Sequence, residues 1–133
     1  AAILAVGPMV QLALEAADIL ARENVQARVV NARFLKPLDM DMLQGLLDEG
    51  VPLLTVEEGS LAGGFGSAVL EFAAARSRSV EHVKCMGVPD CFIEHGSIRE
   101  QREEVGLTAE AIALSLRELV QAPAKYRRKS GSN

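Results

Sequence analysis

The 133-residue sequence predicts an α/β fold, a three-layer sandwich with a mainly parallel sheet. Short apolar runs, which are typical of buried strands, alternate along the chain with longer amphipathic segments, which are typical of helices. Residues that cap helices stand before several of these longer segments. The chain is also long enough to bury a core of its own.

The first strand and helix follow directly from the start of the sequence. AILAV, residues 2–6, is a continuous apolar run and predicts a strand that is buried on both faces. Pro8 suits the first turn of a helix, where its missing N–H costs nothing, and the helix is predicted over 9–22. Asn24 can then take the left-handed conformation that often follows a helix.

A second strand is predicted over 27–32, from the run ARVVNA. Asp39 is expected to cap a helix over about 40–49, in which leucines line one face. Gly50 stands where that helix should end.

The third strand is predicted over 52–57, from PLLTVE, and a glycine-rich loop follows it. The stretch TVEEGSLAGGFGS, residues 55–67, places two adjacent carboxylates just before that loop. A helix is expected over 66–76.

The last strand is predicted over 80–88, where VEHVKCMGV alternates in polarity. Ser97 and Glu100 have the spacing of a capping box, so a short helix should start there and stop at Gly106. Thr108 is expected to cap the final helix. The domain is predicted to span 1–121, and residues 122–133 are predicted to be a disordered basic tail.

Charge and composition exclude several classes of function. The tail segment 125–129 holds 4 of the 14 basic residues, so the other residues carry 10 basic against 18 acidic side chains. An acidic body repels phosphates, and aromatic residues are only 4% of the chain, so we expect no nucleic-acid partner. No apolar stretch approaches the ~20 residues that span a bilayer, so we expect no membrane partner.

The sequence also predicts the compartment of the protein and whether the chain is part of a longer one. Cys85 and Cys91 are its two cysteines, which suits a reducing compartment, and no basic segment of a signal peptide is visible. We therefore expect a protein that is not secreted. Because Ala1 already stands inside an apolar run, the chain is expected to be a fragment of a longer protein.

Charged residues follow two of the predicted strands, at the sheet edge where parallel α/β proteins meet ligands. Arg33 and Lys36 come after the second strand, and Glu57 and Glu58 end the third. If these two strands are neighbours, Arg33 can pair with Glu57 or Glu58. Two interpretations stay open: the ion pairs and glycines only shape the loops, or this edge faces another domain or subunit, where glycine permits close approach.

Three kinds of site are not supported by the motifs. The glycine loop lacks the Lys-Ser/Thr of a P-loop and the G-x-G-x-x-G spacing, and its carboxylates oppose a phosphate. His82, Cys85, Cys91 and His95 lack the tight ligand pairs of structural zinc. Ser97 is better explained as a helix cap than as a nucleophile. We predict no catalytic, cofactor-binding or metal-binding residue in this chain.

Three segments carry a family resemblance: NARFLKPLD (31–39), TVEEGSLAGGFGSAV (55–69) and GVPDCFIEHG (87–96). In this order they resemble the C-terminal domain of 1-deoxy-D-xylulose-5-phosphate synthases, thiamin-diphosphate enzymes of the transketolase superfamily. The resemblance covers residues 2–121. It implies a transketolase C-terminal-domain-like fold.

The resemblance implies a function for the longer protein. Such enzymes condense pyruvate with glyceraldehyde 3-phosphate, with loss of carbon dioxide, as the first step of methylerythritol phosphate isoprenoid biosynthesis. Thiamin diphosphate and Mg²⁺ are held by upstream domains, and no G-D-G of their N-terminal signature occurs here. The chain alone should therefore be inactive, in a homodimer found in a bacterial cytoplasm or a plastid.

The same resemblance implies that the charged, glycine-rich edge meets the upstream domains and the second subunit. The residues expected at this interface are Arg33, Lys36, Glu57, Glu58, Gly63, Gly64, Phe65, Gly66, Asp90 and His95. Two alternatives stay open. One is the β-subunit of the E1 component of 2-oxo-acid dehydrogenases, which shares the VEEG strand end. The other is a free-standing module that binds a small anion or a protein.

Overall fold

A computed structural model describes residues 1–32, 39–88 and 97–122 of the chain. Four strands and five helices alternate in it up to the last two helices, which follow each other. They are β1 (Ala2–Ala5), α1 (Met9–Ala21), β2 (Arg28–Asn31), α2 (Met40–Glu49), β3 (Leu53–Ser60), α3 (Phe65–Ala75), β4 (Val83–Val88), α4 (Ile98–Glu104) and α5 (Ala109–Gln121).

The sheet is parallel throughout the described residues, with the strand order β2-β1-β3-β4. The strand β1 therefore lies inside the sheet, and all four of its residues are buried. This explains why its sequence is apolar without alternation.

Two helices cover each face of the sheet. Ile3 and Ala5 of β1 point into a core with α1 and α5, whereas Ala2 and Leu4 point into a second core with α2 and α3. The predicted three-layer α/β sandwich is confirmed. In the part of the chain that the structure describes, no helix has the length and apolar character needed to cross a membrane.

The predicted caps are confirmed. The Asp39 carboxylate accepts from the Met42 N–H (3.0 Å), and the Thr108 hydroxyl accepts from the Ala111 N–H (3.1 Å). Ser97 and Glu100 form the expected reciprocal capping box. Asn24 has the predicted left-handed backbone, with φ of 62°.

Two strand boundaries were predicted wrongly. The strand β3 continues to Ser60, because after a register irregularity Ser60 still pairs with Val88 of β4. Gly59 is therefore a strand residue, and the loop is only 61–64. The strand β4 starts at Val83, because residues 81 and 82 form a turn.

Candidate functional site

The carboxyl end of β3 and the start of α3 form the candidate site. Glu57 lies in β3 and is 4% exposed, whereas Glu58, the next residue, is exposed. Successive strand residues point to opposite faces of the sheet, so the two adjacent carboxylates have different surroundings. They must therefore be considered separately.

The Glu57 carboxylate caps helix α3. Its Oε1 accepts from the N–H of Phe65 (2.9 Å) and its Oε2 from the N–H of Gly66 (2.6 Å). The first amides of a helix have no partner within the helix, and the helix dipole makes this end positive. Gly64 stands at the N-cap without a side chain that could cap the helix. The buried carboxylate from β3 thus satisfies amides that would otherwise be unpaired.

Glycines make room for this carboxylate, first within the loop. A Cβ at Gly64 would overlap the Ser60 carbonyl oxygen and Oε1 of Glu57. A Cβ at Gly59 would lie 2.9 Å from the same Oε1. Each of these approaches is closer than the carbon–oxygen contacts found in packed proteins. Hence Gly64 is required by both the Ser60 carbonyl and the Glu57 carboxylate, and a side chain at Gly59 would displace that carboxylate.

Two further glycines close the site from the helix and from β4. A Cβ at Gly66 would lie 2.8 Å from the Cys85 Sγ, and one at Gly87 would lie 2.9 Å from the Gly59 carbonyl oxygen and 3.1 Å from Cγ of Glu57. We call Gly59, Gly64, Gly66 and Gly87 the glycine cradle. Gly87 was not among the predicted site residues, because only the pairing of β3 with β4 brings it here.

The Glu58 carboxylate pairs with helix α4. Its Oε1 accepts from Nη2 (2.6 Å) and Nε (2.7 Å) of Arg102, whose side chain is 25% exposed. The predicted pairing of Arg33 with Glu57 or Glu58 required the second and third strands to be neighbours. That condition is not met, because β1 lies between β2 and β3.

Burial shifts the pKa of two groups, Cys85 beside the site and His82 at the opposite, amino end of β4. Burial raises the pKa of the Cys85 thiol, the Thr55 hydroxyl opposes this, and the Glu57 carboxylate adds to it. Burial lowers the pKa of His82, and the Glu81 carboxylate opposes this. A raised thiol pKa disfavours the thiolate, which is the reactive form, so Cys85 is poorly suited to act as a nucleophile.

The predicted interface residues that the structure describes differ in their burial. Glu57, Phe65 and Gly66 are buried, Gly64 is half-buried, and Glu58 and Gly63 are exposed. The remaining candidates, Arg33, Lys36, Asp90 and His95, lie outside the described residues, as does Cys91.

The arrangement does not fit the cofactor that the resemblance implies for the longer protein. A diphosphate would need a positive site such as a free helix start, but the start of α3 is occupied by Glu57. Within residues 1–32, 39–88 and 97–122, no group of three His, Cys, Asp or Glu side chains could hold a metal ion. The Glu57 carboxylate can fix the conformation of the loop. Both of its oxygens already accept hydrogen bonds from backbone amides, so the arrangement fits a structural role better than acid–base chemistry.

Comparisons with known proteins agree with this architecture. Curated relatives include the 1-deoxy-D-xylulose-5-phosphate synthase of Geobacillus thermodenitrificans, which is 49% identical over 96% of this chain, and that of Bacillus licheniformis, which is 47% identical over 99%. The chain spans only 20% of the length of either relative.

Solved structures show the same fold. A split-gene transketolase, described as an inactive beta4 tetramer, superposes with a TM-score of 0.81 at 33% identity, over 96% of this chain and 40% of its own. A transketolase from Pichia stipitis superposes with a TM-score of 0.65 over 90% of this chain and 16% of its own, and at 23% identity it supports the fold alone. The family model for the transketolase C-terminal domain matches residues 1–112. The chain therefore belongs to the transketolase C-terminal domain family.

Proposed function

We propose that this chain is the C-terminal domain of a 1-deoxy-D-xylulose-5-phosphate synthase. The whole enzyme condenses pyruvate with glyceraldehyde 3-phosphate and releases carbon dioxide, using thiamin diphosphate and Mg²⁺ that its upstream domains hold. The proposal includes a homodimer and a location in a bacterial cytoplasm or a plastid.

One observation carries this proposal. The curated synthase from Geobacillus thermodenitrificans is 49% identical over 128 residues, which cover almost all of this chain but one fifth of that enzyme. Such identity over a whole domain supports the synthase rather than the β-subunit of a 2-oxo-acid dehydrogenase. The Glu57 geometry supports a domain without chemistry of its own, because that carboxylate is bonded to two backbone amides.

The role that we propose for the domain is assembly. Glu58 and the exposed residues of loop 61–64 can contact a neighbouring domain or subunit directly. Glu57 is buried, so its part in the interface is to fix the position of that loop through α3. Gly63 has φ of +70°, which suits glycine at the turn of the loop.

The native protein from source cells tests the enzyme assignment. We expect an intact mass several-fold above 14.2 kDa and release of carbon dioxide from pyruvate that depends on glyceraldehyde 3-phosphate and thiamin diphosphate. The 133-residue chain, assayed alone, is the control and should show no turnover. A native mass near 14.2 kDa, or a long chain without this activity, would contradict the proposal.

A loop variant tests the assembly role. Ala62 is exposed in loop 61–64, so Ala62→Arg places a bulky charge on the loop and leaves residue Glu57 itself unchanged. In the full-length enzyme we expect the dissociation constant of the dimer to rise, or kcat/KM to fall, by at least about tenfold, which is ~1.4 kcal/mol. Gln11→Arg, on the exposed side of α1, is the matched control and should behave as wild type. Wild-type assembly and turnover in Ala62→Arg would remove the loop from the interface.

A further inference from the structure

The first residue of helix α2 places a methionine side chain in contact with water. Met40 is 55% exposed, whereas Met9 is fully buried in the core beside α1. Met42 and Met86 are half-buried, and each packs against one of the two cores. These are the four methionines of the sequence. The Met40 side chain is therefore the one that a reagent dissolved in water reaches most readily.

An arginine at the end of helix α3 lies against this methionine. Nη2 of Arg76 donates to Sδ of Met40 at 3.7 Å. The same guanidinium stacks over the ring of Phe72, with 3.7 Å between its Cζ and the ring centroid. Phe72 is a buried residue of the second core, and the cation–π contact orients the guanidinium above it. The Met40 sulfur thus faces a positively charged donor, although a thioether is only a weak acceptor.

We infer that Met40 is a reversible oxidation site, at which a hydroperoxide converts the thioether into a sulfoxide whose oxygen Arg76 binds. A lone pair of Sδ attacks the hydroxyl oxygen of the peroxide, so that an S–O bond forms while the O–O bond breaks. The other peroxide oxygen leaves with the electron pair and takes up the proton of the transferred oxygen. Sulfur is oxidised by two electrons, and hydrogen peroxide is reduced to water. A methionine sulfoxide reductase reverses the change.

The surroundings of Met40 suit the oxidised side chain better than the reduced one. A sulfoxide is polar and disrupts a core, but Met40 is exposed and gives up no core packing when it is oxidised. The new oxygen is bonded to Sδ, the atom to which Arg76 already donates. A hydrogen bond from a charged donor to this polar oxygen is stronger than the bond to the thioether. Oxidation should therefore strengthen the contact between the start of α2 and the end of α3.

Peroxide treatment of the folded full-length protein tests the site itself. After exposure to dilute hydrogen peroxide, mass spectrometry of the digested protein gives the oxidised fraction at each methionine. We expect Met40 to oxidise at least about tenfold faster than the buried Met9, and faster than the half-buried Met42 and Met86. Incubation with a methionine sulfoxide reductase should return Met40 to the thioether.

Hydrogen exchange in the same protein tests the part played by Arg76. If the sulfoxide ties α2 to α3, oxidation should slow the exchange of amides in α2 by at least about threefold. Oxidation should not slow exchange in Arg76→Ala, which lacks the donor, or in Met40→Leu, which lacks the sulfur. Arg22→Ala is the matched control, because Arg22 is also an exposed arginine at the end of a helix, and it should behave as wild type.

The two measurements decide the two parts of the inference. Oxidation of Met40 that is no faster than that of Met9, or that the reductase does not reverse, overturns the oxidation site. Exchange in α2 that is not slowed in the oxidised wild type overturns the binding of the sulfoxide by Arg76. Slowing that is as large in oxidised Arg76→Ala or peroxide-treated Met40→Leu overturns it as well.

Discussion

Oε2 of Glu57 lies 2.6 Å from the backbone nitrogen of Gly66, and this contact joins the end of strand β3 to the first turn of helix α3. The same carboxylate also accepts from Phe65. One buried side chain thus determines where the loop between strand and helix runs. The first two predictions test this relationship.

Glu57→Gln should destabilise the chain by about 1–3 kcal/mol, because an amide side chain has one oxygen and leaves a buried backbone N–H without its acceptor. The midpoint of urea denaturation measures the change. Glu58→Gln, at the exposed neighbouring residue, is the control and should cost no more than about 1 kcal/mol. Equal effects of the two substitutions would show that the Glu57 cap is unimportant.

Gly64→Ala should cost roughly 1–3 kcal/mol, because its Cβ would overlap Glu57 and the Ser60 carbonyl. Gly45 lies in helix α2 with open space around it, so Gly45→Ala should instead stabilise the chain by about 0.5–1 kcal/mol. Thermal and urea denaturation of both variants check the opposite signs. A stabilised Gly64→Ala variant would contradict the packing described for the cradle.

Stability should fall as the pH is lowered through the ordinary histidine pKa of 6.5, because burial lowers the pKa of His82 in the folded chain. The unfolded chain then binds more protons at His82 than the folded one does, so acid favours unfolding. Among the described residues, Nε2 of His82 is buried without a hydrogen-bond partner, which agrees with a neutral ring.

The check is the urea midpoint between about pH 7.5 and 5.5, where His titrates. The His82→Gln variant should show a shallower loss of stability over this range. His95, the other histidine, is replaced in a second variant, so that its own titration can be subtracted. If the urea midpoint falls as steeply with pH in His82→Gln as in the wild type, the prediction is wrong.

The Glu58–Arg102 pair should contribute little to stability, in spite of its 2.6 Å distance. Both side chains are partly exposed, so water screens the pair, and a double-mutant cycle with Glu58→Gln and Arg102→Gln should give a coupling of about 0.2–1 kcal/mol. That coupling should shrink at high salt. A coupling that is large and independent of salt would show that the pair is desolvated.

The sequence was most informative where the determining interactions are local. Asp39, Ser97 and Thr108 cap helices with groups three residues away, so each helix start could be predicted. The contacts of Glu57 could not, because its amide partners lie eight and nine residues away across a turn. The condition for pairing Arg33 with Glu57 or Glu58, that the second and third strands are neighbours, could not be judged from the sequence for a related reason, and it is not met. Strand order depends on how layers pack, and consecutive strands need not be neighbours.

The Glu57 cap has a consequence for the metabolites that the domain meets. Exposed helix starts bind phosphate groups, and the enzyme that we propose works on a phosphorylated aldehyde. Because β3 supplies its own anion to α3, the first amides of that helix at Phe65 and Gly66 already have an acceptor and are not open to such groups. The surface around loop 61–64 can therefore serve protein contacts without substrate competing for the same amides.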